Sequence, residues 1–267
     1  MNAAGAALMS AIRSGAATHP GHVRHHNEDQ FLVMPESGVF AVADGMGGHE
    51  AGALASRIVV EALSSIGAPA SAPDLLARLE DRVLRANASL RETARRRGAD
   101  AIVGSTLAAL LVFDRHYAAV WSGDSRLYRV RGSRIAQISR DHTEAQDLVD
   151  RGVLRPDEAR AWPRRNVVTR ALGVQEVPEL DIDHGTLEAD DLFVICSDGL
   201  TAHVEDGEIL AQVLALEPQV ACDALVGLAL ERGGSDNVTV VVVRYRADPA
   251  GIGDTLLRMT GESRAGR

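Results

Sequence analysis

Apolar residues along the chain keep two rhythms, and the change from one to the other marks out the elements. Residues 31–34 and 39–43 are short apolar runs on either side of Pro35-Glu36-Ser37-Gly38, which predicts a hairpin. Over residues 48–66, Ala51, Ala55, Ile58 and Ala62 fall on one helical face. A second helix is predicted over residues 71–97. Ser71 suits its cap, Pro73 and Asp74 suit its first turn, and Leu76, Leu79, Val83, Ala86 and Leu90 keep a three-four spacing. Arg95-Arg96-Arg97 complements the dipole at its end and Gly98 stops it.

Four strand candidates then follow closely, at residues 105–113, 117–121, 126–130 and 134–138, and the turns between them predict an antiparallel meander. Residues 142–165 are polar, charged and weakly helical, too long for a simple connection, and read as a mobile subdomain over a site. Residues 192–197 form an apolar strand, residues 205–216 and 218–232 two helices, and residues 237–245 a valine-rich strand. Strands precede and separate paired helices without βαβ alternation. The expected class is therefore α+β, with antiparallel sheets covered by helices. The Ala-rich start lacks a basic stretch ahead of a long apolar one, so residues 1–15 are expected to be a frayed leader rather than a secretory signal. Residues 16–246 form the domain, and residues 247–267 a loose tail in which Leu256-Leu257 offers weak docking.

Composition narrows the function. A chain of 267 residues suits one large domain, and no apolar run reaches membrane-span length. The net charge of −9 argues against nucleic acid as the main partner. Cys196 and Cys222 read as buried small hydrophobes in a reducing, cytoplasmic compartment. A cysteine phosphatase needs Arg six residues after its nucleophile, but those positions are Ala202 and Leu228. The sequence holds no lysine, which excludes Schiff-base, P-loop and Ser–Lys chemistry and leaves any phosphate to arginine.

Three acidic residues share one context. Asp44 and Asp198 each end an apolar strand and precede glycine, and Asp236 stands just before the valine-rich strand. Asp124 lies in Gly123-Asp124-Ser125 between two further strands. Strand ends are rigid, as a metal site requires, and glycine lets a backbone carbonyl approach a cation. Converging carboxylates repel one another, and a hard divalent cation resolves the conflict. Oxygen-only ligands fit Mg²⁺ or Mn²⁺ rather than zinc.

Eight stretches carry a resemblance: Arg24-His25-His26-Asn27-Glu28-Asp29, Asp44-Gly45-Met46-Gly47-Gly48-His49, Gly104-Ser105-Thr106, Gly123-Asp124-Ser125-Arg126, Asp141-His142-Thr143, Thr169-Arg170-Ala171-Leu172-Gly173, Ser197-Asp198-Gly199-Leu200 and Ser235-Asp236-Asn237-Val238-Thr239. In this order they resemble the metal-dependent serine/threonine protein phosphatases, the PPM or type 2C family, in its bacterial form. The resemblance implies a four-layer αββα sandwich, two central antiparallel sheets flanked by helix pairs, with a flap at about residues 142–166. It implies Asp44 bridging two cations, Mn²⁺ or Mg²⁺, with the Gly45 carbonyl as a further ligand. Asp198 and Asp236 complete one metal, Asp124 with Asp198 takes a third, Arg24 grips the substrate phosphate, and Glu28 and Asp29 act through metal-bound water. The activity implied is hydrolysis of phosphoserine and phosphothreonine on proteins by a metal-activated water, without a phosphoenzyme. The implied partners are a serine/threonine kinase and its targets, forkhead-type proteins among them, and the chain is expected to be a monomer.

One departure stands out. Where animal members carry a histidine assigned as general acid, this chain has Met46, and His49 lies three residues on. Metal-bound water is the first choice for the proton donor. Rival readings explain less. No Gly-x-Ser-x-Gly elbow exists for a serine esterase, and Gly45-Met46-Gly47 fails the dinucleotide pattern because position 50 is Glu. A catalytically inactive binding module would lose metal ligands, and this chain keeps them.

Overall fold

Strands buried on both faces explain the uninterrupted apolar runs. In the computed structural model, which describes residues 11–48, 50–98 and 100–246, successive side chains of β3 (Val39–Met46) divide between two cores. Val39, Ala41 and Ala43 face helices, whereas Phe40 and Val42 face a second sheet. The same alternation holds in β10 (Leu192–Cys196), where Leu192, Val194 and Cys196 face helices and Phe193 and Ile195 face inward. It holds again in β11 (Val238–Tyr245).

One sheet has the order β1-β11-β10-β7-β8, built with β1 (Ile12–His19), β7 (Arg126–Arg131) and β8 (Arg134–Gln137). The other has the order β2-β3-β5-β6-β9, built with β2 (Asp29–Met34), β5 (Leu107–Phe113), β6 (His116–Ser122) and β9 (Asp181–Thr186). The short β4 (Gly104–Ser105) pairs with the end of β3. All the pairings between named strands are antiparallel. Helices α1 (Glu50–Ser64) and α2 (Ala72–Arg97) cover the second sheet. The flap carries α3 (Glu144–Asp150) and α4 (Pro156–Arg160). After the single turn α5 (Asp198–Thr201), helices α6 (Asp206–Ala215) and α7 (Pro218–Glu231) cover the first sheet. The layers are those of an αββα sandwich.

Local chemistry accounts for most of these boundaries. Ser71 accepts a hydrogen bond from the Asp74 amide at 3.2 Å, capping α2 as its sequence predicts, and Gly98 ends that helix at a φ of 135°. The buried stripe of α2 runs through Leu75 rather than Leu76, which is only partly covered. Both cysteines are free thiols in the core.

Three expectations change. Residues 12–15, assigned to a leader, belong to β1. Strand β9 has no counterpart in the sequence reading. Both strands lie at sheet edges with polar, half-open sequences, so they lack the apolar rhythm that marks a central strand. The third change concerns the meander, which divides in two. β6 pairs with β5 and β9, whereas β7 pairs with β10 and β8, so the chain passes from one sheet to the other across Gly123-Asp124-Ser125. The predicted tail, with Leu256-Leu257, and His49 lie outside the described residues.

Phe193 is fully buried between the sheets and packs its ring 5.0 Å from that of Tyr117. Phe193→Ala is expected to lower the unfolding free energy by about 3–5 kcal/mol in urea denaturation. A loss below about 1 kcal/mol would show that the inter-sheet core does not hold the sandwich together.

Candidate active site

Asp29 and Asp44 are directly opposed residues of the β2–β3 ladder, so two carboxylates start from one paired position. Asp29 is 1% exposed. Its Oδ2 accepts from the Ser197 hydroxyl at 2.7 Å, and that hydroxyl oxygen accepts from the Thr239 amide at 3.0 Å. Ser197 thus fastens the end of one sheet to the other. The second oxygen of Asp29, Oδ1, is buried with no hydrogen-bond partner.

Asn237 makes a second tie. Its Oδ1 accepts from the Glu28 amide at 2.7 Å, and its Nδ2 donates to the carbonyls of Pro20 and His26, each at 2.9 Å. These bonds fix the loop carrying Arg24 and Glu28 against the strand entry that carries Asp236. Arg24 Nη2 donates to Asp236 Oδ2 at 2.7 Å, with both side chains partly open to solvent. Gly45 sits where no side chain fits, because a Cβ there would lie 2.0 Å from the Gly52 carbonyl oxygen. Its amide donates to the Glu28 carbonyl at 3.1 Å, and the Glu28 carboxylate lies against Gly52. Met46 pairs with Gly104 in the ladder and rests its side chain there.

Thr106 joins Asp44 to the crossover. Its amide donates to the Asp44 carbonyl at 2.8 Å, and its hydroxyl oxygen accepts from the Asp44 amide at 3.0 Å. The same hydroxyl lies 2.7 Å from that of Ser125. Its methyl presses on Gly123, where a Cβ would come within 2.6 Å and the φ is +115°. Only glycine meets both conditions. Asp124, the next residue, is buried. Two residues on, Arg126 grips both oxygens of Asp141, with Nη2 at 2.7 Å from Oδ2.

Electrostatics describe the site best. Burial pushes Asp29 up to about 7 against the opposing hydrogen bond from Ser197, with the charges of Asp198 and Asp236 adding smaller upward pushes. Burial and then Asp236 push Asp198 up to about 6, with Arg24 and Arg126 opposing. Asp44 is raised well above the usual range by burial and then by Asp29, Asp198, Asp124 and Asp236, and Asp124 is raised likewise by burial and then Asp198. Asp44 and Asp198 open partly to the surface, yet enough protein surrounds each that desolvation remains its largest cause. The structure therefore gathers five carboxylates within electrostatic reach of one another.

Divalent cations fit this set. The donors are all oxygen, the shortage of positive charge is large, and Asp29 Oδ1 is a buried acceptor without a donor. Among the described residues, no three acidic, histidine or cysteine side chains close by themselves into a metal cage. Asp236, for one, turns toward Arg24.

The family model for protein phosphatase 2C matches residues 21–221. The chain belongs to the protein phosphatase 2C family. Among curated relatives, serine/threonine protein phosphatase PstP of Mycobacterium tuberculosis is 38% identical over 86% of this chain and 44% of its own length. The chain thus spans less than half of that relative. Serine/threonine phosphatase stp of Listeria innocua is 31% identical over 85% of this chain and 93% of its own. Among solved structures, PppA of Pseudomonas aeruginosa, described as a key regulatory component of T6SS, superposes with a TM-score of 0.82 at 40% identity, covering 88% of this chain and 97% of PppA. The catalytic domain of PstP in complex with two manganese ions superposes with a TM-score of 0.78 at 36% identity, covering 88% of this chain and 99% of that domain.

Within this phosphatase 2C domain, Thr106, Ser197 and Asn237 hold the acidic groups in place, and sequence reasoning gave them no role. Each does stand in or beside a quoted motif, and a hydroxyl or amide next to a carboxylate at a strand end was the available signal.

The raised carboxylates predict a pH effect. A folded pKa above the ordinary 3.8 means that the folded state holds protons the unfolded chain releases. That stability is fully present below about pH 4 and is lost as pH rises through about 6 to 7. In EDTA the melting temperature is expected to fall from pH 5 to pH 7.5, and Mn²⁺ is expected to remove the fall. A profile in EDTA that is flat, or that Mn²⁺ leaves unchanged, would contradict the electrostatic description.

Proposed function

We propose that this protein hydrolyses phosphoserine and phosphothreonine on other proteins, using Mn²⁺ or Mg²⁺ held at the carboxylate cluster. The observation that carries the reading is the gathering of Asp29, Asp44, Asp124, Asp198 and Asp236 at the ends of two facing sheets, with one buried acceptor unsatisfied. Family membership supports it, as does the manganese pair in the PstP catalytic domain.

In this proposal Asp44, Asp198, Asp236 and the Gly45 carbonyl would hold two cations. Asp124 and Asp198 would hold a third and weaker cation. When bound, such cations act as Lewis acids on the phosphate and acidify a coordinated water toward neutrality. The protein does the rest. Ser197 and Thr106 hold Asp29 and Asp44 at fixed positions, so the carboxylates need not reorganise during the reaction. Glu28 and Asp29 would act through water held by the cations, Asp29 from its buried place beside Asp44. Arg24 binds the phosphate through its planar guanidinium, which matches two oxygens at once. Its present partner, Asp236, keeps that guanidinium at the mouth of the site. Met46 offers no proton, so the leaving alkoxide takes its proton from water.

The partners proposed are phosphorylated proteins, a serine/threonine kinase and its targets among them, met by a cytoplasmic monomer. Among the described residues no helix is long and apolar enough to cross a membrane.

The direct test is hydrolysis of p-nitrophenyl phosphate and of a phosphothreonine peptide with and without metal. Activity is expected with Mn²⁺ or Mg²⁺ and is expected to disappear in EDTA. Full turnover after chelation, with metal absence confirmed by elemental analysis, would refute the proposal. A second measurement isolates the phosphate clamp. Arg24→Ala is expected to lower kcat/KM for the phosphopeptide by about tenfold or more, since it removes a charge-assisted hydrogen bond. Arg24→Lys is expected to recover only part, because lysine lacks the fork. Wild-type efficiency in Arg24→Ala would make Arg24 a structural partner of Asp236 alone.

A further inference from the structure

We propose that His142 is a positioning residue for Asp124, holding the crossover backbone through its Nδ1 while Asp181 fixes its tautomer. The inference rests on the reading above, in which Asp124 takes a third cation, and goes beyond it by assigning what keeps that carboxylate in place.

The geometry is specific. His142 and Gly123 exchange two hydrogen bonds: the His142 amide donates to the Gly123 carbonyl at 2.9 Å, and the Gly123 amide donates to His142 Nδ1 at 3.1 Å. A ring nitrogen that accepts carries no hydrogen, so the neutral imidazole holds its proton on Nε2. Nε2 faces Asp181 Oδ2 at 3.1 Å, where that proton finds an acceptor. Arg170 Nη1 donates to the other oxygen of Asp181 at 3.2 Å and Arg170 also pairs with Glu179, so Asp181 is itself held. Trp121 stacks against the imidazole with centroids 6.4 Å apart and planes 24° from parallel. The His142 carbonyl accepts from the Thr169 amide at 2.8 Å, closing the base of the flap on the same residue.

Gly123 needs such a hold. Its φ of +115° lies outside the regular wells, no sheet ladder pairs it, and Thr106 presses on it from one side. His142 restrains it through both its amide and its carbonyl. Asp124 is the next residue in the chain, so a shift of the Gly123 peptide moves its carboxylate directly. Outer partners that orient a ligand in this way are worth about 10–100-fold in metal affinity.

The test is calorimetric titration of Mn²⁺ into wild type, His142→Leu, His142→Asn and Asp181→Asn, beside urea denaturation of each. Asparagine places Oδ1 close to where Nδ1 stands, so it can still accept from Gly123, and leucine cannot. Wild type is expected to show a tight pair of ions and one weaker step. In His142→Leu the weaker step is expected to lose about tenfold or more in affinity, while the tight pair stays as in wild type. His142→Asn is expected to bind near wild type, and Asp181→Asn to fall between. A merely structural histidine would lower stability in urea without separating the two steps, and that result overturns the assignment. So does equal weakening of the weaker step in the leucine and asparagine variants. If His142→Leu fails to fold, an unchanged weaker step in Asp181→Asn overturns it instead. A wild type with the tight pair but no weaker step refutes the third cation and this inference together. Absence of any tight binding refutes the proposed function itself.

Discussion

Five carboxylates gathered within reach of one another, with too little positive charge to balance them, is the constraint to which the structure answers. Burial alone raises the pKa of a carboxyl group, and each neighbouring carboxylate raises it further. Asp29, Asp44, Asp124 and Asp198 all show both effects. A core made only for stability would replace such groups with apolar ones. Their retention at the ends of both sheets is intelligible once a divalent cation supplies the missing charge.

The sandwich makes this gathering possible because its two sheets end at the same place. Each sheet contributes its own acidic residues, and small polar side chains stitch the ends together. Ser197 reaches from the end of β10 to Asp29 on β2, and Asn237 reaches from the start of β11 to the Arg24–Glu28 loop. Thr106 ties Asp44 to the crossover that delivers Asp124. These bonds are local and directional, so they fix positions that apolar packing would leave loose. The inter-sheet core behind them, with Phe40, Phe193 and Ile195, makes the platform rigid.

Much of this was legible in the sequence, for physical reasons that differ by element. The central strands were readable because burial on both faces makes them continuously apolar, and α2 because its cap, first turn and stop all follow local rules. Asp44, Asp124, Asp198 and Asp236 were findable because each sits where such a strand begins or ends. The edge strands β1 and β9 were not, since their small and polar residues beside a free edge carry no apolar rhythm. The meander was misread because turn residues reveal where a chain turns and not which sheet it joins next. The Arg24–Asp236 pair, like the role of Thr106, is a matter of tertiary distance that no spacing along the chain encodes.

Family membership and fold say where such chemistry is found, and the unbalanced charge at the strand ends is what supports it in this chain. The most direct measurement is anomalous diffraction at the manganese edge from crystals of this protein grown with Mn²⁺. The account predicts at least two peaks at the strand ends, within about 2.0–2.4 Å of oxygens from Asp44, Asp198, Asp236 and the Gly45 carbonyl. An absence of peaks there at saturating Mn²⁺, or peaks confined to other carboxylates on the surface, would contradict it.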